Sequence, residues 1–259
     1  MRMLKNLLTG LWRAPSAAAR AVREQEEVSV LGPAIEAFNA GRHEEAVRAC
    51  EAVIAGRPDS AQARHLCARA LMALKRPAEA ERLLKTALEL DPGLSDAHAD
   101  LAVIALTAGD YDAAERHGRA ASDANPLEAR YHELLAGVLE AAGRNRDALV
   151  ELSAALDCAP ERTDLLLRLC SGLDLAGRHR EMLPLAERAV AESGENFETL
   201  CCLALAQFGV DDLDAAVATT RKALRLRTDK SAPYIVLGNA LFELGKPEEA
   251  LAAHRRALK

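Results

Sequence analysis

Residues 78–92 read AEAERLLKTALELDP, a run in which alanine and leucine recur at helical spacing and a proline closes the run. The same order of small and large residues returns every 34 residues, without insertion or deletion. The closing prolines are Pro58, Pro92, Pro126 and Pro160. A fixed period of this length indicates a solenoid built from one repeated supersecondary unit, so the sequence predicts an architecture before it predicts any chemistry.

Each unit contains two helical runs joined by a short turn, which predicts an antiparallel pair of helices. The turn glycines are Gly41, Gly109, Gly143, Gly177 and Gly245, and Lys75 and Asp211 occupy the two equivalent positions without glycine. A second position of the repeat holds a small residue in every unit, and these residues are Ala34, Ala68, Ala102, Ala136, Cys170, Ala204 and Gly238. Small side chains let two helix axes approach to the short end of the usual range of about 8–10 Å. We expect each pair to bury its apolar face by stacking on the next pair.

These positions, together with LGNALFELGKPEEALAAHRRAL at residues 237–258, resemble the tetratricopeptide repeat family. The resemblance covers Glu27 to Lys259. It implies an all-α fold, a right-handed α-solenoid (superhelix) of seven consecutive 34-residue helix pairs with an N-terminal helical extension. The extension is predicted at residues 1–26 and the array at 27–259. The predicted units are 27–60, 61–94, 95–128, 129–162, 163–196, 197–230 and the incomplete 231–259.

Charge is distributed unevenly along the chain. The whole chain carries −6 and residues 1–23 carry +5, so the remainder carries −11. An acidic body lacks the clustered lysine and arginine that phosphate backbones require, which argues against a nucleic-acid partner. Six cysteines occur without a CxxC pair, which favours reduced packing residues and a cytoplasmic location. Redox activity at the vicinal Cys201 and Cys202 is an alternative, but no adjacent base would lower a thiol pKa there.

The N-terminal extension is predicted to be a basic amphipathic helix. Its apolar face holds Met3, Leu4, Leu7, Leu8, Leu11 and Trp12. Two interpretations stay open: the helix caps the first repeat, which we favour, or residues 2–13 make peripheral contact with a membrane surface. Thr9 and Gly10 interrupt the apolar run, which disfavours an export signal. Downstream, Gly32 and Pro33 predict that the first helix of the first unit begins at Pro33.

The family resemblance implies that the first helix of each pair lines a concave groove that binds extended peptides or partner helices. Carried over position by position, it predicts a groove whose C-terminal half is apolar and makes the main partner contact. The predicted partner-binding residues are His65, Arg69, Arg130, Glu133, Leu167, Ser171, Cys201, Leu205, Phe208, Ile235, Asn239 and Phe242. Phe208 and Phe242 have a competing interpretation, packing between adjacent units.

No set of residues predicts catalysis, a cofactor or a metal. His98 and His132 occupy equivalent positions in neighbouring units, but that position packs helix against helix and no third ligand accompanies them. The acid pairs after the turns suit the positive ends of helix dipoles better than general acid chemistry. The sequence therefore predicts a non-catalytic protein–protein interaction scaffold. The alternative is the N-terminal arm of a larger bacterial enzyme of glycosyltransferase, sulfotransferase or hydroxylase type.

The end of the array is predicted to expose an apolar face. Lys259 falls inside the second helix of the seventh unit, with no closing proline after it. Leu241, Leu251 and Leu258 are expected to be open there, which predicts either continuation of the chain or docking of this end on a partner or on its own copy, that is, self-association.

Overall fold

The computed structural model describes residues 29–258, and every regular element among them is an α-helix. The chain divides into two compact units, Met1–Ala108 and Gly109–Lys259. We call these the first unit and the second unit, as distinct from the 34-residue repeat units. The first unit contains α1 (residues 29–39), α2 (His43–Gly56), α3 (Ala61–Ala73), α4 (Pro77–Leu90) and α5 (Ser95–Thr107). The second contains α6 (Tyr111–Ala124), α7 (Ala129–Ala141), α8 (Asn145–Cys158), α9 (Thr163–Leu175), α10 (His179–Ser193), α11 (Phe197–Gly209), α12 (Leu213–Leu226), α13 (Ser231–Glu243) and α14 (Pro247–Ala257).

Packing within each unit follows the order of the chain. In the first unit α3 packs on α2, on α4 and on the next first helix, α5. In the second unit each helix packs on its successor, and the first helices α9, α11 and α13 also contact one another in turn. Nearest-neighbour packing of helix pairs is the defining property of a solenoid. The predicted all-α fold of stacked helix pairs is confirmed. The number of repeats and their boundaries stay predictions, and the extension at residues 1–26 lies outside the described residues.

The small residues of the repeat lie where helices cross, and they are buried. Ala68, Ala102, Ala136 and Cys170 are completely inaccessible to solvent, at 0% exposure. The second-helix series behaves in the same way: Ala46, Ala80, Ala114, Ala148, Ala216 and Ala250 are all buried. At the one departure from that series, Met182 is also buried, at 1% exposure. The periodic alanines are therefore contact residues of the core.

The turn between the two helices of a pair requires a left-handed backbone conformation. Gly41, Gly109, Gly143, Gly177 and Gly245 have φ between 67° and 79°. Lys75 and Asp211 adopt the same conformation, with φ of 59° and 65°. At Lys75 the turn forms both Schellman hydrogen bonds, from Lys75 N–H to Met72 O at 2.9 Å and from Arg76 N–H to Leu71 O at 2.9 Å. The repeat thus imposes this conformation even where the residue disfavours it.

Two expectations for the ends of the array are corrected. Residues 29–39 are helical, so helical conformation precedes Pro33 by at least four residues. Buried Leu31 anchors this added turn, and a proline in a helix removes one backbone hydrogen bond without preventing the turn before it. Leu241 is not open, because it lies buried in an apolar cluster with Val217 and Leu237. Leu251 and Leu258 are exposed, as expected.

The backbone strain at Lys75 leads to a first prediction. Lys75→Gly should stabilise the protein by about 0.5–1 kcal/mol, because a left-handed conformation costs a non-glycine residue about 1–2 kcal/mol, partly offset by the greater chain entropy of unfolded glycine. Asp211→Gly should stabilise the protein less, since aspartate tolerates the left-handed conformation better than lysine does. Urea and thermal unfolding measure both effects.

Lys85→Gly is the matched control, because Lys85 lies inside α4 with ordinary helical geometry. This substitution should lower the free energy of unfolding by about 1 kcal/mol. A lowered melting temperature for Lys75→Gly would contradict the argument.

One helix contact requires glycine for a different reason. A Cβ added at Gly209, the last residue of α11, would lie 2.1 Å from Cγ of His179. The clash involves the root of the imidazole ring, which cannot swing away as the end of a flexible chain could. The absence of a side chain at Gly209 therefore sets how closely the start of α10 approaches the end of α11.

Gly209→Ala should destabilise the second unit by about 1–3 kcal/mol, the usual cost of overpacking, although alanine is the better helix former. In a His179→Ala background the same change should be neutral or stabilising, which a double-mutant cycle of unfolding free energies measures. Equal losses in both backgrounds would show that the ring is not the cause.

Candidate functional site

The second unit contains an apolar cavity of about 390 Å³. The first helices α9, α11 and α13 contribute most of its lining residues, and the second helices α10 and α12 contribute the remaining ones. The lining residues are Leu167, Ser171, Asp174, Met182, Phe197, Glu198, Cys201, Cys202, Ala204, Leu205, Thr220, Ala223, Ala232, Pro233 and Val236. We refer to this recess as the groove cavity.

The repeat pattern explains why a recess forms here. Leu167 and Ser171 on α9, and Cys201 and Leu205 on α11, are four residues apart and therefore share one face of their helices. Met182 belongs to the series that is alanine in the other units, and a larger side chain at a crossing holds helix axes further apart. The cavity thus lies beside the one crossing of this series where the small residue is missing.

The start of α11 is held by a set of local hydrogen bonds. No proline closes the preceding helix; Gly194 ends it instead, with a φ of 78°. Asn196 then caps α11: its Oδ1 accepts from Thr199 N–H at 2.9 Å, and Thr199 Oγ1 accepts from Asn196 N–H at 3.2 Å. This capping box positions Phe197 and Glu198, the first residues of α11, at the cavity.

Cysteine thiols form part of the wall. The group that acts most strongly on the Cys202 thiol is Cys170 on α9, not its sequence neighbour Cys201. The interaction with Cys170 and burial raise the pKa of the Cys202 thiol above its ordinary value. Burial raises the pKa of Cys201 to about 11, and the Glu198 carboxylate adds to the rise. Thiols with raised pKa values are poor nucleophiles at neutral pH, so the wall cysteines act as apolar packing groups.

Four of the predicted groove residues line the cavity: Leu167, Ser171, Cys201 and Leu205. Phe208 does not line it, because its ring packs against the apolar cluster of α12, α13 and α14. The other three predicted residues of the C-terminal half lie exposed on α13, and they are Ile235, Asn239 and Phe242. The cavity therefore brings together only part of the predicted apolar surface.

Among the predicted polar groove residues, the two in the first unit already contact other groups of the chain. His65 is buried, and its Nε2 lies 2.9 Å from Oδ2 of Asp100. The Arg69 guanidinium lies over the Phe38 ring at 5.0 Å, in cation–π geometry. A ligand at these side chains would have to compete with existing contacts.

The same holds for the two predicted polar residues of α7 in the second unit. The Arg130 guanidinium stacks on the Tyr131 ring at 4.6 Å. Glu133 accepts a hydrogen bond from Arg162 Nη1 at 2.8 Å. Neither residue lines the groove cavity, and each already contacts another side chain of the second unit.

The sequence missed the contribution of α13 to the wall. Its lining residues are Ala232, Pro233 and Val236, whereas the predicted face of the helix holds Ile235 and Asn239. The cavity is a recess beside α11, so α13 presents the side that packs towards its neighbour. Pro233 could have signalled this side, since it is a buried proline in the first turn, where no helical hydrogen bond is lost.

The two equivalent histidines each hydrogen-bond the carbonyl of the proline six residues before them. His98 Nε2–H donates to Pro92 O at 3.3 Å, and His132 Nε2–H donates to Pro126 O at 3.2 Å. Burial lowers the pKa of His98. His132 Nδ1 also lies 2.8 Å from Glu151 Oε2. Across residues 29–258, no group of three or more His, Cys, Asp and Glu side chains is arranged to hold a metal ion. In the same residues, no helix has the length and apolar character needed to cross a membrane.

The raised pKa of Cys201 leads to a prediction of slow alkylation. At pH 7.5 iodoacetamide should label native Cys201 about a hundredfold more slowly than an unfolded cysteine, because a pKa of about 11 replaces 9.0 and less thiolate is present. The native rate should rise about tenfold per pH unit up to pH 11, and mass spectrometry with fragmentation separates Cys201 from Cys202. In urea the midpoint of the dependence of the labelling rate on pH should return to the ordinary pKa of a cysteine. Native labelling within about threefold of the urea rate at pH 7.5 would show that Cys201 is not shielded.

Solved structures share the fold of this chain. YrrB, described as a TPR protein with an unusual peptide-binding site, is 17% identical with a TM-score of 0.63, over 72% of this chain and 96% of that chain. MamA from Desulfovibrio magneticus RS-1 is 16% identical with a TM-score of 0.57, over 63% and 93%. Naa15/Naa10 bound to HypK-THB is 16% identical with a TM-score of 0.64, over 90% of this chain and 36% of that chain. At these identities the likeness concerns the fold alone.

Sequence comparison agrees with the structural neighbours. The tetratricopeptide repeat model matches residues 37–86 and 75–138. No curated protein matches the sequence. The match shows tetratricopeptide repeats at residues 37–138, and the 34-residue period and the stacked helix pairs continue the same fold through the rest of the described residues.

Proposed function

We propose that this chain is a non-catalytic scaffold that binds a segment of a partner protein in the groove cavity. The tetratricopeptide fold suggests a protein–protein interaction scaffold. The observation that carries the finer proposal is the cavity itself, an apolar recess of about 390 Å³ on the first-helix side of three successive pairs. That volume lies at the small end of the range of about 300–1,000 Å³ for ligand sites, and suits one or two large side chains of a partner.

Binding energy at such a site comes from burying apolar surface. Leu167, Leu205, Phe197 and Val236 offer apolar walls that are already in place in the free protein. A side chain entering a preformed recess avoids the cost of reorganising the receptor. The description of YrrB as having a peptide-binding site supports a peptide or helix as the ligand class.

The remaining predicted contacts surround this centre. Ile235, Asn239 and Phe242 on α13 are exposed and extend the proposed surface, and Phe242 is 64% exposed. Phe208 is assigned to packing and leaves the proposed contact set. Arg130 and Glu133 are proposed as further polar contacts of the second unit, and His65 and Arg69 as polar contacts of the first unit.

Other parts of the sequence-based hypothesis stay predictions. They include the cytoplasmic location, membrane contact by residues 2–13 and self-association at the C-terminal end. The enzyme-arm alternative also stays a hypothesis, since no specific feature of the described residues favours it.

Filling the cavity tests the proposal. A displayed library of random twelve-residue peptides is selected on the full chain, and enriched peptides are synthesised and measured by fluorescence anisotropy. Ser171→Trp should weaken their binding at least tenfold, because Ser171 is exposed at the cavity and tryptophan would occupy it.

Ala218→Trp is the matched control, since Ala218 is exposed on α12 and does not line the cavity. It should leave peptide binding unchanged, and circular dichroism should show equal helicity for both variants. Enriched peptides that bind Ser171→Trp as tightly as the unmodified chain, or a selection that enriches nothing, would refute the cavity as the binding site.

A further inference from the structure

The charged residues of the groove cavity all have one sign. Asp174 and Glu198 line it, and no lysine, arginine or histidine does. Asp174 lies towards the end of α9, and Glu198 lies in the first turn of α11. Two carboxylates therefore face a recess whose other lining groups are apolar or uncharged.

These carboxylates are weakly neutralised by the protein itself. Asp174 Oδ1 lies 3.5 Å from His179 Nδ1, a contact that is ionic only when the imidazole is protonated. Glu198 Oε1 lies 3.5 Å from Arg227 Nη1. Arg227 is more closely engaged elsewhere, since its Nε lies 2.9 Å from Asp229 Oδ1.

Several other acids of the same unit are paired more tightly. Glu133 lies 2.8 Å from Arg162, Glu140 2.6 Å from Arg168, and Glu195 2.5 Å from Lys222. The side-chain exposure of Asp174 is 29% and that of Glu198 is 61%, so a ligand can reach both. A charge beside a low-dielectric wall also acts more strongly on a ligand than the same charge in open solvent.

We infer that the segment bound in the groove cavity carries a large apolar side chain with a lysine or arginine beside it, and this inference rests on the proposed function. The apolar side chain enters between Leu167, Leu205 and Val236. The base lies against Asp174 or Glu198. An acidic segment would be repelled by both carboxylates, so this preference is opposite in sign to that of a groove lined by lysines.

The peptides enriched on the unmodified chain provide the test. Lysine or arginine should stand within about four positions of the dominant apolar residue. For one such peptide, replacing that base by glutamine should weaken binding to the unmodified chain about three- to tenfold, as expected for one partly exposed charge facing two carboxylates. The same replacement should change binding to Asp174→Asn/Glu198→Gln less than twofold.

Glu187→Gln controls for net charge, because Glu187 is exposed on α10 and does not line the cavity. With Glu187→Gln, replacing the lysine or arginine of the peptide by glutamine should weaken binding as much as it does with the unmodified chain. Raising the salt from about 50 to 300 mM should shrink the effect on the unmodified chain, since partly exposed charges are screened.

The possible failures are distinguishable. Peptides that are blocked by Ser171→Trp but show no basic preference, or that favour acids, overturn this inference and leave the proposed function standing. A basic effect of equal size in Asp174→Asn/Glu198→Gln also overturns it, because the base would then act elsewhere. Peptides indifferent to Ser171→Trp overturn the proposed function, and this inference with it.

Discussion

Close contact between helices at buried small side chains is the constraint on which the rest of this structure depends. Ala68, Ala102 and Ala136 are fully inaccessible because the neighbouring helix lies directly against them. Such positions tolerate little extra volume, since interiors are packed at crystal-like density. The constraint recurs every 34 residues, so each pair presents its first helix in the same way as the pair before it.

A recess arises where this regularity is relaxed. Met182 replaces the alanine of the second-helix series and contributes to the groove cavity. Gly194 replaces the closing proline, and a capping box then starts α11 beside the cavity. Two departures from the repeat, at Met182 and Gly194, thus lie at or beside the surface to which we assign binding.

The carboxylates of the cavity are less closely paired than several others of the second unit. Arg144, for example, bridges Glu115 on α6 and Asp147 on α8. Such exposed pairs contribute little stability individually, typically about 0–1 kcal/mol. Their effect on recognition is greater, because a paired carboxylate offers little to a ligand. Asp174 and Glu198 have their nearest cationic partners at 3.5 Å, further than those pairs.

Much of the fold could be predicted from the sequence by itself. The period, the turn positions and the small residues determined an all-α array of stacked helix pairs, because these features act through local backbone preference and nearest-neighbour packing. Lys75 and Asp211 show how strong that determination is, since both adopt the glycine conformation that the frame assigns to them. The sequence also identified four residues of the cavity wall, through the family's rule for the first helix.

Only the tertiary structure decided which residues meet across helices. It brought Cys202 next to Cys170, turned Pro233 and Val236 towards α11, and packed Phe208 against the apolar cluster of α12, α13 and α14. It also separated the loosely held carboxylates at the cavity from those held tightly by arginine. Periodicity specifies the face on which a residue lies but not the gap between two faces. That gap depends on the volumes of side chains from several helices at once, which no single repeat contains.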